Sequence, residues 1–154
     1  MKVKSTMSEM TLDTIQVITF DLLRENSKEY FAIPIDRVRE ICTVESITKI
    51  PNSAPDVIGI VNLRNNIIPI INIKQKLGIS DSIDDISRQQ IVITEDGGNY
   101  YGLLVDIVHE VIRINPGEIQ PISKNITDSN KFIIGIIKIN ETITTLLDPT
   151  TITQ

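Results

Sequence analysis

Gly59-Ile-Val-Asn-Leu-Arg-Asn-Asn-Ile-Ile-Pro-Ile-Ile-Asn72 lies over Gly135-Ile-Ile-Lys-Ile-Asn-Glu-Thr-Ile-Thr-Thr-Leu-Leu-Asp148 without a gap. Each copy is two apolar runs around a short polar break, the pattern of a β-hairpin. In the first copy Asn65-Asn66 is a suitable two-residue turn, because Asn tolerates the positive φ that hairpin turns require. Alternation puts Gly59, Val61 and Leu63 on one face and Ile60, Asn62 and Arg64 on the other. The second copy sets Gly135, Ile137 and Ile139 against Ile136, Lys138 and Asn140, so the polar face is outward in both. Pro69 cannot donate to a ladder, and its strand needs a free edge or a bulge there.

The correspondence extends beyond the hairpin. Tyr30-Phe-Ala-Ile-Pro-Ile-Asp-Arg-Val-Arg-Glu-Ile41 lies over Tyr100-Tyr-Gly-Leu-Leu-Val-Asp-Ile-Val-His-Glu-Val111, and Gln16-Val-Ile-Thr-Phe-Asp21 over Gln90-Ile-Val-Ile-Thr-Glu95. Two copies, each close to half of the 154 residues, exclude a solenoid, whose repeats run roughly 20 to 50 residues. Strands are expected at 15–22, 30–35, 38–44, 59–63 and 67–73, and again at 90–95, 100–105, 108–114, 132–139 and 143–147. Asp96-Gly97-Gly98-Asn99 and Pro51 to Pro55 punctuate them, and 74–77 suits one helical turn stopped by Gly78. The runs are apolar on both faces, which suits a small closed barrel better than an open one-sided sheet.

The expected fold is therefore mostly β, with two small five-stranded β-barrel subdomains around a shared apolar core. The boundaries are an N-terminal stretch 1–14, a first subdomain 15–80, an acidic connecting segment 81–88, a second subdomain 89–149 and a tail 150–154, forming one domain overall. Composition agrees: 32 Ile, 10 Val and 14 Thr make more than a third of the chain β-branched, which favours pleated sheet. Ile68 and Ile70 stand where the second copy has Thr144 and Leu146, so the first hairpin is the more apolar and is expected to bury against the other barrel or a partner.

Net charge is −5, with 15 basic residues scattered among 20 acidic ones, which argues against the concentrated basic face of a nucleic-acid binder. The start lacks an apolar signal core, and no apolar run approaches the ~20 residues of a membrane span, so the expected location is cytoplasmic. Asn125-Ile-Thr127 and Asn140-Glu-Thr142 match the glycosylation pattern by chance in that setting.

Enzyme chemistry finds few residues. His109, the only histidine, has Arg39 as its counterpart and suits a solvated strand position; Cys42, the only cysteine, sits in an apolar strand and reads as a small core residue. No phosphate loop, metal-ligand spacing or cofactor motif is present. Asp36 and Glu40 recur as Asp106 and Glu110, a duplicated structural role such as holding an arginine. The residues singled out as functional are Val38, Glu40, Gly59, Asn62 and Arg64. Glu40 and Arg64 suit an ion pair, and an exposed pair adds only ~0 to 1 kcal/mol, so stability alone is a weak reason for it. Arg, with its planar donor fork, is more useful at an interface.

Tyr30 to Ile41, Ile50-Pro51, Gly59-Ile-Val-Asn-Leu-Arg64, Ile68-Pro-Ile-Ile71 and Gly102 to Val111 together resemble the CheW family of chemotaxis coupling proteins, over about 15–149. The resemblance implies two five-stranded β-barrels and a non-catalytic adaptor without cofactor or metal. It implies two partners, the cytoplasmic tip of methyl-accepting chemoreceptors and the regulatory domain of the histidine kinase CheA. It places Val38 and Glu40 near the receptor contact, Arg64 as the arginine of the family's Asn-Leu-Arg-Gly segment, and Gly59 as the glycine opening that strand. Asn65 stands where the family usually has Gly, and Asn72 where it often has Asp. The expectation is a stand-alone protein, monomeric when free, recruited to membrane receptor arrays without inserting into the membrane. The alternative from another class is a small barrel binding single-stranded nucleic acid, with Tyr30, Phe31, Tyr100 and Tyr101 as its only clustered aromatics.

Overall fold

The structure, a computed structural model, describes residues 14–24, 27–44, 46–51, 53–79, 88–122 and 131–153. Nearly all of the expected N-terminal stretch 1–14, most of the connecting segment 81–88, and Asn125 to Thr127 lie outside them. Ten strands are present: β1 (Ile15–Arg24), β2 (Ser27–Pro34), β3 (Val38–Thr43), β4 (Val57–Leu63), β5 (Asn66–Asn72), β6 (Gln90–Asp96), β7 (Asn99–Val105), β8 (Ile107–Ile114), β9 (Ile133–Ile139) and β10 (Thr142–Leu147). Each expected strand is found, with ends moved by three residues or fewer.

The strands form two five-stranded sheets. Sheet I runs β8-β1-β2-β10-β9, and sheet II runs β3-β6-β7-β5-β4. Replacing each strand by its repeat counterpart converts one order into the other. The sheets do not divide at the expected boundaries 15–80 and 89–149, because the halves exchange hairpins. β1 and β2 pair with the second half's β8 and β10, while β6 and β7 pair with the first half's β3 and β5. Local sequence favours each hairpin whichever half completes it, and the exchange lets both halves bury one shared surface.

That surface explains why the strands are apolar on both sides. Alternate residues feed different cores, as side chains of a strand must. Ile18, Phe20, Leu22, Phe31, Ile33 and Leu147 of sheet I meet Ile71, Val92, Leu103 and Val105 of sheet II in a central cluster. Their strand neighbours Val17, Ala32 and Leu146 join Ile114 and Ile137 in a cluster belonging to sheet I alone. Ile68, Ile70, Ile91, Ile93 and Leu104 do the same in sheet II. Ile68 and Ile70 therefore bury within their own sheet, and the expectation that they pack on the other barrel or a partner is corrected.

The turn between β4 and β5 is Arg64-Asn65, one residue earlier than expected, with Leu63 opposite Asn66. Both turn residues have positive φ (53° and 67°), and so have Asn140 and Glu141 (48° and 69°) in the second copy. In such a hairpin the flanking pair is hydrogen-bonded and pairs then alternate, so Pro69, opposite Ile60, falls at a non-bonded pair. Its nitrogen faces the β7 side, where pairing begins only at Ile70. A short helix, Ile73–Lys76, follows β5 and is capped by the Asn72 side chain accepting from Lys74 N; Gly78 beyond it has φ 75°. Asp148 caps the equivalent helix Pro149–Ile152 in the same way. The Asn-for-Asp departure at 72 is thus between two residues that cap equally well.

Candidate functional site

β3 and β4 are the outer strands of sheet II, yet the chain brings them together. After β3, Thr48 pairs with Ile60 of β4 through two backbone hydrogen bonds, Thr48 N to Ile60 O at 2.9 Å and Ile60 N to Thr48 O at 2.8 Å. At the other end of this seam, Arg64 Nη1 lies 3.0 Å from Glu40 Oε1. A β-bulge between Val38 and Glu40 breaks the register with β6, and bulges re-aim the side chains around them. Arg39 takes its partner from β6, with Nε donating to Glu95 Oε1, a contact that raises the Arg39 pKa above its ordinary value. Glu40 is left to span the seam.

Between the two pins is an opening of about 270 Å³, lined among others by Cys42, Thr43, Thr48 and Asn62. A smaller hollow of about 260 Å³ lies at the ion pair, with Leu63, Tyr100 and Arg39 in its wall. Glu40 and Arg64 therefore form the ion pair that the sequence suggested, the one from β3 and the other from the turn after β4, with Asn62 in the wall of the opening beside them. The Arg64 side chain is 77% exposed and its partner 28%, so the guanidinium faces solvent with donors to spare. Gly59 lies beneath the seam and is buried. A Cβ there would sit 2.3 Å from Thr48 O and 2.7 Å from Ile47 Cγ2, so its glycine is needed for close approach of the segment after β3 to β4. Val38 opens β3 half-buried, packed against the central cluster.

Sequence reasoning missed Thr48, since a single bridge carries no periodic pattern; the paired glycines Gly59 and Gly135 were the available signal. Gly135 repeats the arrangement in sheet I, where its Cβ would meet Gln120 O at 2.7 Å and where Gln120 pairs with Ile136. A buried network was also missed. Lys74 Nζ lies 2.8 Å from Asp106 Oδ2, which also accepts from Leu23 N at 2.7 Å, while Gln89 donates to Oδ1 at 3.1 Å. These groups tie the end of β1, the start of β6, the β7–β8 corner and the post-β5 helix together. The duplicated carboxylates thus diverge: Glu40 holds an arginine, Asp106 a buried lysine, and Asp36 is exposed.

Cys42 packs against sheet II's own cluster, and His109 Nε2 lies 2.9 Å from Asp21 Oδ2. Among the described residues no group of His, Cys, Asp and Glu is arranged to hold a metal, and no helix is long and apolar enough to cross a membrane. Of the aromatics, Phe31 and Tyr101 pack at the central cluster, while Tyr30 and Tyr100 are partly exposed on different sheets, so they do not form one stacking platform.

Residues 16–154 match the family model described as CheW-like domain. The chemotaxis protein CheW of Helicobacter pylori is 30% identical over 119 residues, covering 77% of this chain and 72% of that protein. CheW of Thermotoga maritima is 28% identical over 138 residues, covering 89% and 86%. The crystal structure of the scaffolding protein TtCheW from Thermoanaerobacter tengcongensis superposes with a TM-score of 0.75 at 34% identity, covering 86% of this chain and 83% of that one. With nearly the whole described fold inside that match, the chain belongs to the CheW-like family of chemotaxis proteins.

Proposed function

We propose that this chain is a non-catalytic adaptor coupling methyl-accepting chemotaxis receptors to the histidine kinase CheA. The observation that carries the proposal is the CheW-like match over residues 16–154, joined by a likeness to a solved scaffolding protein at 34% identity. The chain acts in the cytoplasm, is recruited to receptor arrays, and is a monomer when free. Each sheet closes into a small SH3-like barrel; the Thr48–Ile60 and Gln120–Ile136 bridges and the apolar cluster special to each sheet support this closure.

In this reading the receptor tip, a helical hairpin, docks against the sheet II seam around Val38, Glu40, Gly59, Asn62 and Arg64, while the CheA regulatory domain meets another face. The outward guanidinium of Arg64, oriented by Glu40, is the specific contact. Gly59 serves indirectly, by letting the Thr48 segment pair with β4 and so fixing where the turn that carries Arg64 stands. Nothing in the fold or the comparisons favours the single-stranded nucleic-acid alternative.

The test is reconstitution of the full chain with CheA and a receptor cytoplasmic fragment, reading kinase autophosphorylation. The expected result is receptor-dependent activation only when the chain is present, with both partners held at once. Activation without the chain, or competition of the two partners for one site, would overturn the proposal.

A further inference from the structure

The seam of sheet II has a twin between the outer strands β8 and β9 of sheet I, and the twin lacks the cation that Glu40 holds in the first; Lys138, which stands where the first copy has Asn62, pairs instead with Glu141 at 3.3 Å. Arg39, Glu40 and Arg64 of the first seam correspond to His109, Glu110 and Asn140 of the second, and Glu95 corresponds to Asp21. The first pairing is preserved in kind: Arg39 with Glu95 becomes His109 with Asp21, at 2.9 Å. The second is lost. Where Glu40 holds Arg64 at 3.0 Å, Glu110 has Asn140 opposite, and among the described residues its carboxylate has no ion-pair partner.

We propose that this second seam is a socket for an arginine side chain of a partner protein. The cavity there is about 520 Å³, against about 260 Å³ at the filled seam, so there is room where the first copy has its own side chain. Within that wall Thr19 and Thr144 replace the apolar Ile93 and Ile68 of the first seam, and Tyr30 keeps the hydroxyl of Tyr100. The Thr19 hydroxyl is engaged by the Glu110 backbone, donating to its O at 3.0 Å and accepting from its N at 3.2 Å, so the acceptor offered to an occupant is the Glu110 carboxylate, whose two oxygens match the fixed fork of a guanidinium better than a compact ammonium.

The local charge favours the same occupant. Asp21 is 1% exposed, its Oδ1 has no hydrogen-bond partner among the described residues, and with Glu110 it sets two carboxylates beside the one His109. In the first seam two arginines balance two glutamates. The occupant is a partner and not a second copy of this chain, which rests on the reading above of the free chain as a monomer. It comes from an exposed turn, since that is the element which presents Arg64 to Glu40. The inference does not depend on the receptor reading of the first seam.

The experiment is a titration of the ¹⁵N-labelled full chain with N-acetyl-arginine amide at millimolar concentration, followed by amide shifts, with N-acetyl-lysine amide and uncharged N-acetyl-citrulline amide as controls. Saturable shifts at Thr19, Glu110 and Asn140 are expected with the arginine probe, several-fold weaker with lysine and absent with citrulline. They should vanish in Glu110→Gln and in Asn140→Arg, and persist in Arg64→Ala. The Asn140→Arg chain is expected to fold, because Arg64 has φ 53° in the twin turn where Asn140 has φ 48°. Equal response to citrulline, persistence of the shifts in Asn140→Arg, or no response to arginine would overturn the socket. Shifts at these residues on raising protein concentration without probe would assign the seam to a second copy and overturn the partner assignment.

Discussion

Gly59→Ala tests whether the first seam is held shut from within. The new methyl carbon would sit 2.3 Å from Thr48 O, 2.7 Å from Ile47 Cγ2 and 2.9 Å from Thr48 C. Two of these atoms are backbone and cannot swing aside, so the segment carrying Thr48 must move. Overpacking of this kind costs about 1–3 kcal/mol. The displacement also strains the two bridge hydrogen bonds between Thr48 and Ile60, each contributing about 1 kcal/mol. The expected loss is about 3 kcal/mol, a sizeable part of a typical total of about 5–15 kcal/mol. Urea unfolding followed by circular dichroism measures it directly, and Gly135→Ala should lose a comparable amount for the same reason, with Gln120 O at 2.7 Å. Gly117→Ala is the control: its nearest contact is a side-chain oxygen at 3.3 Å, and its effect should stay within about 0.5 kcal/mol. If Gly59→Ala unfolds at the wild-type midpoint, or no earlier than the control does, the glycine is not required for the approach of the Thr48 segment to β4. A stable Gly59→Ala that fails to couple receptor to kinase would instead make Gly59 a direct contact.

Lys74→Met should destabilise the chain by about 3–5 kcal/mol in the same assay, because it leaves the Asp106 carboxylate buried without its cation. Arg64→Ala should cost no more than about 1 kcal/mol of stability, the usual range for an exposed ion pair, yet sharply reduce receptor-dependent kinase activation; unchanged activation would remove Arg64 from the interface. Sedimentation at micromolar concentration should find a monomer, since the two sheets already cover one another's apolar faces in the central cluster; an obligate dimer would contradict this.

Strand positions were legible because period, β-branching and turn residues all act locally, and the structure moves their ends only slightly. The hairpin turn was misplaced by one residue for a definite reason. Asn-Asn is the better pair for positive φ, but centring the turn there would shift the register and place Pro69 differently against β4, so the hairpin accepts Arg64 at φ 53°. The exchange of β1-β2 and β6-β7 between sheets was not legible. Both hairpins present the same apolar alternation, and strand partners far apart in sequence leave no periodic trace. At the site, the complementary charges of Glu40 and Arg64 were visible, whereas the backbone bridge at Thr48 was not.

The exchange has a consequence for an adaptor. Had each half formed its own sheet, the two seams would be joined through a connecting segment and free to change their relative angle. Instead every sheet contains strands from both halves, and Phe20, Phe31, Leu103 and Leu147 meet in one central cluster. The Lys74–Asp106 pair and its hydrogen bonds to Leu23 and Gln89 fix the same junction with directional contacts. The seams are thus two copies of one device at fixed orientation, differing at the positions that set charge: Arg64 against Asn140, Asn62 against Lys138, Arg39 against His109. The filled seam presents a cation to the outside, and the open one presents a carboxylate. On the proposed reading, a body with one of each, rigidly spaced, orders two different partners relative to each other, and cannot exchange one for the other without an unpaired charge in each seam.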